Sequence, residues 1–339
     1  MDNMTRKVRK KKKKKRRLFL KLFLLILLVG LVYGGYLGYT AYKAANDSFQ
    51  ELENREGKSK LRDKPVNVSK DPFSILLIGV ENYSSGKGSY GRSDTLMVAT
   101  FNPKDSSMKL LSIPRDTRVK IPERQRKDKI NHAYAFGGKE TTIETIEDFL
   151  NIPIDYYATI NFDGFVNIID ILDGVKVNVP FDFSDVKAGD KNKKFYFEEG
   201  PMTLSGDEAL TYARMRKKDP LGDRGRNERQ QQIVSGVVDK INNPSSLLKL
   251  DDITNEIGEN VETNLRISYL LALQDKYSSF SSKNIDSLTL DGTDEYINNI
   301  YYFIPDEESV EELSDELKEH LEHNTESASN NSSEDSVEN

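Results

Sequence analysis

A cluster of basic residues, followed at once by a long uncharged stretch, decides where most of this chain can fold. Eleven of the first seventeen residues are Lys or Arg, and the 21 residues from Leu22 to Tyr42 carry no charge. A helix of about 20 apolar residues crosses the hydrocarbon core of a bilayer. The apolar region of a cleaved signal peptide is shorter, about 7–15 residues. The sequence therefore predicts a retained, single-pass transmembrane helix over residues 22–42.

The charge distribution predicts the orientation of that helix. Basic residues beside a transmembrane helix stay on the cytoplasmic side, so residues 1–21 are expected inside and everything after Lys43 outside. The 37 basic and 54 acidic side chains after residue 21 give a net charge of −17. An acidic external part argues against nucleic-acid binding. The chain has no cysteine, which excludes disulfides and thiol chemistry.

Composition divides the external part into three segments. Residues 43–70 are polar and rich in Lys and Glu, as expected of an extracytoplasmic stalk. Residues 71–322 carry the periodic apolar segments and are predicted to form one domain, large enough to stabilise a core without disulfides. Residues 323–339 are acidic and rich in Ser and Asn, so this tail is predicted to be disordered.

Strands alternate with helices along the domain. The strands are predicted from "FSILLIGV", the hairpin "TLMVATFN" and "SMKLLSI", "YYATINF", "VKVNV" and "SLTLDG". Helices are predicted from "TTIETIEDFL", "DGFVNIIDIL", "SGDEALTYARMR", "NERQQQIVSGVVDKI" and "DEESVEELSDELKEHL". The N-caps are expected at Thr141 or Thr142, near Asp163, and at Ser205 with Glu208 in a capping box. Nearly continuous apolar strands are buried on both faces. The sequence thus predicts an α/β/α sandwich with a central mixed sheet.

The segment "YARMRKKDPLGDRGRNERQQQI" concentrates positive charge in an acidic domain. Seven basic residues fall within sixteen positions: Arg214, Arg216, Lys217, Lys218, Arg224, Arg226 and Arg229. A solvated helix could carry them, but it would not need the glycines and the proline. Arg214 and Arg216 would point about 200° apart on a continuous helix. If both bind one anion, the helix has to end between them, and "GDRGR" is then expected to bend the backbone so that Arg226 turns inward.

Carboxylates lie at the ends of two neighbouring strands. Glu81 follows the first strand and Asp94 opens the second. The loop between them is not a P-loop, because Glu81 and Gly88 stand where G-x-x-x-x-G-K-[ST] requires Gly and Ser or Thr. Two carboxylates can hold Mg²⁺ together with phosphate oxygens, although two solvated loop acids would have the same spacing. The histidines do not suggest a zinc site, since His320 and His323 are expected at the end of a solvated helix.

Arginines occur near the same positions. Arg92 lies two residues before Asp94, and Arg115 and Asp116 follow the third strand, at the edge where open α/β sheets bind ligands. The Arg115–Asp116 neighbours could also be a simple local ion pair. Arginine binds phosphate oxygens in a bidentate manner. Together these residues suggest a diphosphate bridged by Mg²⁺.

Eight segments, in order and spacing, resemble the LytR-CpsA-Psr family over about residues 71–240. They are "SILLIGVE", "GRSDTLMVATFNP", "LLSIPRDTRVKIP", "DKINHAYAFGG", "YYATINFDGFVNIID", "GVKVNVP", "LSGDEALTYARMR" and "GDRGRNERQQ". The resemblance implies a membrane-anchored phosphotransferase of a Gram-positive bacterium. Such an enzyme moves an anionic glycopolymer, such as wall teichoic acid, from an undecaprenyl-diphosphate carrier to a peptidoglycan sugar hydroxyl.

The resemblance also implies roles for individual residues. Glu81 and Asp94 match metal-binding carboxylates for Mg²⁺ or Mn²⁺, with Glu81 standing where Asp is more usual. The diphosphate-binding arginines are matched by Arg92, Arg115, Arg214, Arg216 and Arg226. Asp223 and Gln230 match polar pocket residues. The catalytic set expected on this basis is Arg92, Asp94, Arg115, Asp116 and Asp223, and Asp94, Asp116 and Asp223 all remain candidates for taking the hydroxyl proton.

Two other functions remain open at this point. One is a non-catalytic module that binds lipid-linked wall polymer, and the other is a hydrolase that uses water at the same site. A polyprenyl tail would need an apolar tunnel, for which the helices bearing "FVNIIDIL" and "IVSGVVDKI" are candidates, although ordinary core packing explains them equally well. The partners predicted for this protein are the lipid-linked polymer, peptidoglycan and the cytoplasmic membrane.

Overall fold

A computed structural model describes residues 39, 43, 46–52, 55, 57–81, 91–122, 124, 126–241, 249, 253, 256, 258, 260–266, 269 and 280–323. The predicted transmembrane span lies outside these residues apart from Tyr39, as do the loop 82–90 and residues 324–339 of the predicted disordered tail. Within the described part of the chain, no helix has the length and apolar character needed to cross a membrane.

A six-stranded mixed sheet forms the centre of the domain. Its strands are β1 (Phe73–Val80), β2 (Ser93–Asn102), β3 (Ser107–Ser112), β6 (Tyr156–Asn161), β11 (Val261–Thr263) and β12 (Ile285–Thr289). They lie in the order β11-β6-β1-β2-β3-β12. β1 is antiparallel to β2 and parallel to β6, β2 is antiparallel to β3, and β3 is parallel to β12. The strands predicted from apolar runs, including the β2–β3 hairpin, are confirmed.

Helices cover both faces of the sheet, which confirms the predicted sandwich. On one face Leu76 and Val98 belong to a core that includes residues of α1 (His132–Leu150) and α5 (Glu307–His320). On the other face Met97 and Leu110 contact the half-buried Val234 of α4 (Asp223–Ile241). Because strand side chains alternate in direction, one nearly continuous apolar run can supply two cores.

A second layer of small elements packs beside α4. It comprises α2 (Phe162–Ile171), α3 (Gly206–Arg214), the β7 (Val175–Val179) and β10 (Gly200–Leu204) pair, and the hairpin of β8 (Phe183–Lys187) and β9 (Asp190–Phe197). Their core includes Ile169, Tyr212 and Ile233. Gly206 needs to be glycine, since an added Cβ would lie 2.1 Å from the Val166 carbonyl oxygen. This layer fixes α3, and therefore the arginines at its end.

Two further hairpins extend from the sandwich near the end of β3. One pairs β4 (Arg118–Lys120) with β5 (Lys127–Lys129), and the other pairs β13 (Gly292–Ile297) with β14 (Ile300–Pro305). An isolated bridge between Thr117 and Phe303 joins them. Together they form one wall beside the edge of the sheet where the polar residues collect.

Some helices begin at the predicted residue and others do not. Ser205 caps α3 with Glu208 in the predicted capping box. α1 begins at His132, well before the predicted Thr141 or Thr142, and continues across a kink at Gly137 and Gly138. The N-cap of α2 is Asn161, whose side chain accepts from Gly164 N, while Asp163 lies within the first turn. α4 begins at Asp223, four residues earlier than its apolar pattern predicted.

The segment before residue 71, predicted to be a stalk, contacts the domain closely. Leu52 belongs to the main core. Arg55 forms an ion pair with Glu147 of α1 at 2.6 Å, and these two side chains are only 6% and 4% exposed. Arg62 pairs with the buried Asp155 at 2.8 Å. The later part of the predicted stalk is therefore anchored to the domain by buried charges.

The expectation that His320 ends a solvated helix is wrong. Its ring is buried against β2 and β3, where Nδ1 lies 2.8 Å from Thr100 Oγ1 and Nε2 lies 2.7 Å from Ser107 Oγ. Burial, with a contribution from Lys109, lowers the pKa of His320. The histidine therefore fastens α5 to the sheet.

Candidate functional site

The ends of three adjacent strands bring the candidate residues to one edge of the sheet. β1 ends at Val80, which pairs with Ser93 at the start of β2. Glu81, just after β1, and Asp94, the second residue of β2, therefore lie at the same edge of the sheet. β3 ends at the same edge because it is antiparallel to β2, and Arg115 and Asp116 follow it after Pro114. The alternation of strand direction thus assembles residues from three separate segments.

A cavity of about 440 Å³ opens at this edge. Four basic and three acidic side chains line it, together with residues of the two outer hairpins. The lining residues are Glu81, Gly91, Arg92, Asp94, Arg115, Asp116, Lys129, Asn131, Arg216 and Tyr301. A cavity with so many cationic groups is suited to a ligand that carries more than one negative charge.

Ion pairs hold the basic side chains in place around the cavity. Arg115 Nη1 lies 2.7 Å from Asp94 Oδ1. The two oxygens of Asp116 meet different cations: Oδ1 accepts from Lys129 at 2.6 Å, and Oδ2 lies 3.5 Å from Arg216 Nη1. Burial works against the charge of Arg115, but Asp94 and Asp116 outweigh it and raise the pKa of this guanidinium. Because Arg115 Nε also lies 3.6 Å from Asp116, this carboxylate is a fixed counter-charge for three of the cavity's cations.

Arg226 lies beneath this network and is only 4% exposed. It donates to the backbone carbonyl of Asp94, and Nη1 lies 3.7 Å from Asp223 Oδ1. Burial and repulsion from Arg115 lower the pKa of Arg226 to about 10. Among the described residues, Arg226 Nε and Asp223 Oδ1 are buried atoms without a hydrogen-bond partner. Such atoms are rare in a finished core, and here they mark charge that the protein alone does not fully satisfy.

The basic segment 212–233 divides into residues with different roles. α3 ends at Arg214, and Met215 is extended (φ −60°, ψ 133°), so Arg216 leaves the helix as predicted. In the "GDRGR" segment the backbone bends at Gly222, whose φ is left-handed (58°), and α4 begins at the next residue, Asp223. Arg226 lies in the first turn of this helix, with its side chain turned inward.

Arg229 shows why the charges are so dense in this segment. It is buried, pairs with Asp219, and donates to the carbonyls of Tyr212, at 3.0 Å, and Met215. These bonds hold the loop between α3 and α4 that carries Arg216. Arg224, Lys217 and Lys218 are exposed. Arg229 thus has a structural role, while Arg216 and Arg226 belong to the network of ion pairs at the cavity.

Three of the predicted substrate-binding residues do not line the cavity: Arg226, which lies beneath it, Arg214 and Gln230. Arg214 is exposed, and its guanidinium lies 4.8 Å from the centre of the Phe162 ring. Gln230 is buried and donates to the carbonyl of Ala213 at 3.2 Å, so it supports the end of α3. Asp223 contacts Arg216 at 3.4 Å and Arg226, and it joins the cavity through them.

Besides Gly91, the structure adds three lining residues with side chains that sequence analysis missed. Lys129 belongs to β5, Asn131 is the N-cap of α1, and Tyr301 belongs to β14. Lys129 and Asn131 stand inside the segment "DKINHAYAFGG", which carried part of the family resemblance, so a signal for them was present. Tyr301 lies outside the resembling region and had no such signal.

The described residues contain no group of three or more His, Cys, Asp or Glu side chains arranged to hold a metal ion. Glu81 and Asp94 are two carboxylates on the wall of one cavity. Mg²⁺ is commonly bound by one or two carboxylates together with substrate phosphates and water. The chemistry of this donor pair therefore fits a hard divalent cation that shares its ligands with a phosphorylated substrate.

The fold and the site define an α/β/α domain whose sheet edge carries a cavity of four basic and three acidic side chains, which is suited to a ligand with several negative charges. The chain belongs to the LytR_cpsA_psr family, whose model matches residues 36–319.

Its relatives are named transferases. The chain is 50% identical over 274 residues to the polyisoprenyl-teichoic acid–peptidoglycan teichoic acid transferase TagV of Bacillus subtilis (strain 168), covering 80% of this chain and 70% of that protein. It is 48% identical to a transferase of the same description, TagU, from Halalkalibacterium halodurans, covering 76% of this chain and 82% of that one.

Solved structures show the same fold. The crystal structure of B. subtilis TagV matches with a TM-score of 0.68 and 49% identity, over 75% of this chain and 99% of that one. A structure of TagT bound to LIIa-WTA matches with a TM-score of 0.67 and 34% identity, over 80% and 99% of the two chains. The family that the sequence resemblance implied and the α/β fold that the pattern of strands and helices predicted are confirmed.

Proposed function

We propose that this protein transfers an anionic glycopolymer, wall teichoic acid or a similar polymer, from an undecaprenyl-diphosphate carrier to a peptidoglycan sugar hydroxyl. The relatives named above are polyisoprenyl-teichoic acid–peptidoglycan teichoic acid transferases. The observation that carries the proposal for this chain is the cavity itself, where Arg92, Arg115, Lys129 and Arg216 converge. A diphosphate diester carries two negative charges and matches four cations that are only partly neutralised.

The arginines bind and orient the diphosphate. Arg92, Arg115 and Arg216 present guanidinium groups that suit bidentate contacts with phosphate oxygens. Arg226 supplies positive charge from beneath the cavity, where burial and repulsion from Arg115 lower its pKa to about 10. Arg214 lies outside the cavity lining, over the ring of Phe162, and Gln230 is bonded to the Ala213 carbonyl. In this proposal Arg214 contacts the donor outside the diphosphate, and Gln230 positions α3.

Glu81 and Asp94 would hold Mg²⁺ or Mn²⁺ on the cavity wall. The cation would supply charge neutralisation for the diphosphate oxygens. The carboxylates of this chain fix the position of the site through their places on adjacent strands. Arg115 in turn orients Asp94 through their ion pair.

The reaction is phosphoryl transfer. The acceptor hydroxyl oxygen forms a bond to the phosphorus that carries the polymer, the bond from that phosphorus to the bridging oxygen breaks, and undecaprenyl phosphate leaves. The hydroxyl proton passes to a carboxylate. Asp94, Asp116 and Asp223 are all candidates for this role, since each is ion-paired with a basic side chain of the site. Such catalysis depends mainly on positioning and electrostatic stabilisation.

The proposal places the domain outside the cytoplasmic membrane of a Gram-positive bacterium, with residues 22–42 as a single-pass anchor and residues 1–21 inside. The anchor keeps the cavity near a substrate whose polyprenyl tail is itself in the bilayer. Apolar side chains of α2 and α4, such as Phe165 and Val238, are only partly buried. We propose that the tail lies along these helices.

A transfer assay tests the function and separates it from both alternatives. Full-length protein in detergent micelles receives undecaprenyl-diphosphate-linked polymer with a radiolabel in the polymer, purified cell wall and Mg²⁺. Transfer predicts label in washed, insoluble wall and release of undecaprenyl phosphate in equal amounts. Soluble labelled polymer would mean a hydrolase, and intact lipid-linked polymer bound to protein would mean a binding module. Arg216→Ala serves as the inactive control.

A further inference from the structure

The β13–β14 hairpin is a preorganised aromatic surface beside the cavity. Its two-residue turn consists of Asn298 and Asn299, both in the left-handed region (φ 52° and 64°). This conformation matches the twist of the flanking strands and makes a tight hairpin. The strands pair in unbroken register from Gly292–Pro305 to Ile297–Ile300. The hairpin can therefore hold exposed side chains in fixed positions.

The base of the hairpin is attached to the catalytic network. Phe303 N donates to the backbone carbonyl of Asp116 at 3.0 Å. Tyr301 lines the cavity, and Lys129 Nζ and Arg216 Cζ lie 5.7 Å and 5.8 Å from the centre of its ring. Its hydroxyl donates to Asp294 at 2.8 Å. Any ligand on this face of the hairpin is thus continuous with the cavity.

Tyr296 extends that face away from the cavity. It pairs directly with Tyr301 across the hairpin, so the two side chains share a face. Their ring centroids are 5.7 Å apart at 64°. Tyr296 is 76% exposed, which leaves most of its ring open to solvent. A large aromatic ring left this exposed in a fixed position is a candidate binding surface.

The charges on the hairpin select the kind of ligand. Asp294, two residues before Tyr296 on the same face, is exposed, and a carboxylate at this position repels a polymer of phosphodiesters. It accepts hydrogen bonds from hydroxyl groups, and an aromatic ring packs well on the C–H face of a sugar ring. The basic residues that suit the donor lie in the cavity, whereas this acidic, aromatic face suits an uncharged or weakly charged glycan.

We propose that the face formed by Tyr296, Tyr301 and Asp294 binds the acceptor glycan of the transfer reaction. A sugar ring of the acceptor stacks on Tyr296, and the next sugar along the strand presents its hydroxyl past Tyr301 to the phosphorus in the cavity. This assignment rests on the proposed function, because it supplies the acceptor for the donor site described above.

The chain offers a matched control on a different hairpin. Tyr196 of β9 is 68% exposed, with Lys194 Nζ 4.9 Å from the centre of its ring. It has nearly the same exposure as Tyr296 but does not line the cavity. Removing either ring deletes a similar exposed aromatic surface. Because only Tyr296 lies on the face that continues into the cavity, only its removal should raise the KM for the acceptor.

Steady-state kinetics with the full-length protein in micelles test the assignment. The acceptor is a soluble tetrasaccharide of alternating N-acetylglucosamine and N-acetylmuramic acid. Tyr296→Ala is expected to raise the KM for this acceptor about tenfold, the loss usual for an aromatic binding residue, while the KM for the lipid-linked donor changes less than twofold. Tyr296→Phe keeps the ring and should restore the acceptor KM, and Tyr196→Ala should change neither KM. Equal rises in both KM values for Tyr296→Ala would overturn the assignment.

A binding measurement separates this proposal from the proposed function. The chain has no tryptophan, so Tyr296→Trp introduces a single fluorescent reporter. The tetrasaccharide should shift its emission in a saturable manner without donor or metal, even if transfer itself were absent. No shift with the tetrasaccharide, or a shift produced only by anionic phospholipid vesicles, would mean that the hairpin does not bind the glycan, and the vesicle result would make it a membrane contact.

Discussion

Arg115 Nη1 lies 2.7 Å from Asp94 Oδ1, so an ion pair joins the turn after β3 to the second residue of β2. Each residue also has a second electrostatic contact: Arg115 Nε lies 3.6 Å from Asp116, and the Asp94 carbonyl accepts from Arg226. The pair therefore connects the proposed metal-binding carboxylate to the proposed diphosphate-binding arginines. A substitution in the proposed metal-binding carboxylates should therefore also affect diphosphate binding by the arginines, and the reverse.

The proposed metal site predicts a loss of transfer when either carboxylate is removed. Glu81→Ala and Asp94→Ala should each abolish Mg²⁺-dependent transfer, because each removes one of the two carboxylates that are proposed to hold the cation against the substrate phosphates. Neither is expected to unfold the domain, since Glu81 is exposed and Asp94 is only half-buried. The measurement is the transfer rate against Mg²⁺ concentration, with circular dichroism as the folding control. Glu312→Ala, an exposed acid on α5, should behave like the native protein. Normal transfer by either variant in the presence of chelator would contradict the metal role.

Arg216 and Arg214 are expected to differ, although the sequence analysis gave them the same role. Arg216→Lys should reduce transfer at least tenfold, about 1.4 kcal/mol or more, because the lysine keeps the charge and loses the planar fork. Arg214→Lys should cost less, since its guanidinium packs on Phe162 outside the cavity. Lys217→Ala, on the exposed loop, should cost least. The comparison is kcat/KM for the donor at fixed ionic strength. Equal losses at all three positions would indicate a diffuse basic surface.

Arg226 is expected to lower the stability of the ligand-free protein and to be required for transfer. Its folded-state pKa of about 10 lies below the usual 12.5, so the charged side chain destabilises the ligand-free fold at every pH below about 10, and this penalty fades as pH rises from 10 to 12.5. Arg226→Met should therefore raise the Tm of the ligand-free protein at pH 7, by about 2–4 °C for each kcal/mol of penalty removed, while transfer falls at least tenfold. Differential scanning calorimetry measures the first effect.

Inorganic pyrophosphate supplies the control for Arg226. Binding of the anion should raise the Tm of the native protein and should have a much smaller effect on Arg226→Met. A lower Tm for the ligand-free variant, together with an unchanged response to pyrophosphate, would show that Arg226 is a structural residue.

The buried pair of Arg55 and Glu147 predicts that the segment before residue 71 contributes to stability. Glu147 also accepts from Ser59 and from Ile154 N, so Glu147→Ala leaves a buried guanidinium without its counter-charge. Losing one partner of a buried pair costs about 3–5 kcal/mol. Glu144→Ala is the control, because its bond to Lys60 is exposed and worth at most about 1 kcal/mol. Urea unfolding measures both, and equal small losses would mean that the segment is not part of the cooperative unit.

The proposed topology predicts different protease sensitivity on the two sides of the membrane. Protease added to intact protoplasts should digest the domain after Lys43 and spare an epitope tag fused to the N-terminus. Immunoblotting for the tag, with a cytoplasmic protein as the integrity control, measures this. Protection of the whole chain, while protoplasts remain accessible to the protease, would contradict the predicted orientation.

The sequence by itself determined the strands of the sheet, the coverage of both faces and the edge where charged residues collect. These features are local: an apolar run such as Phe73–Val80 is buried on both faces wherever it lies, and residues just after a strand lie at its end. Capping of α3 by Ser205 was equally local. The eight family blocks added the resemblance that the comparisons confirm.

Only the tertiary structure decided which arginine faces the cavity. Arg216 reaches Asp116 across 100 positions of the chain, and the loop that aims it is held by the buried Arg229. Tyr301 enters the cavity because Phe303 bonds to the backbone of Asp116. No sequence pattern encodes such side-chain directions, since they depend on packing between distant segments rather than on the periodicity of any one of them.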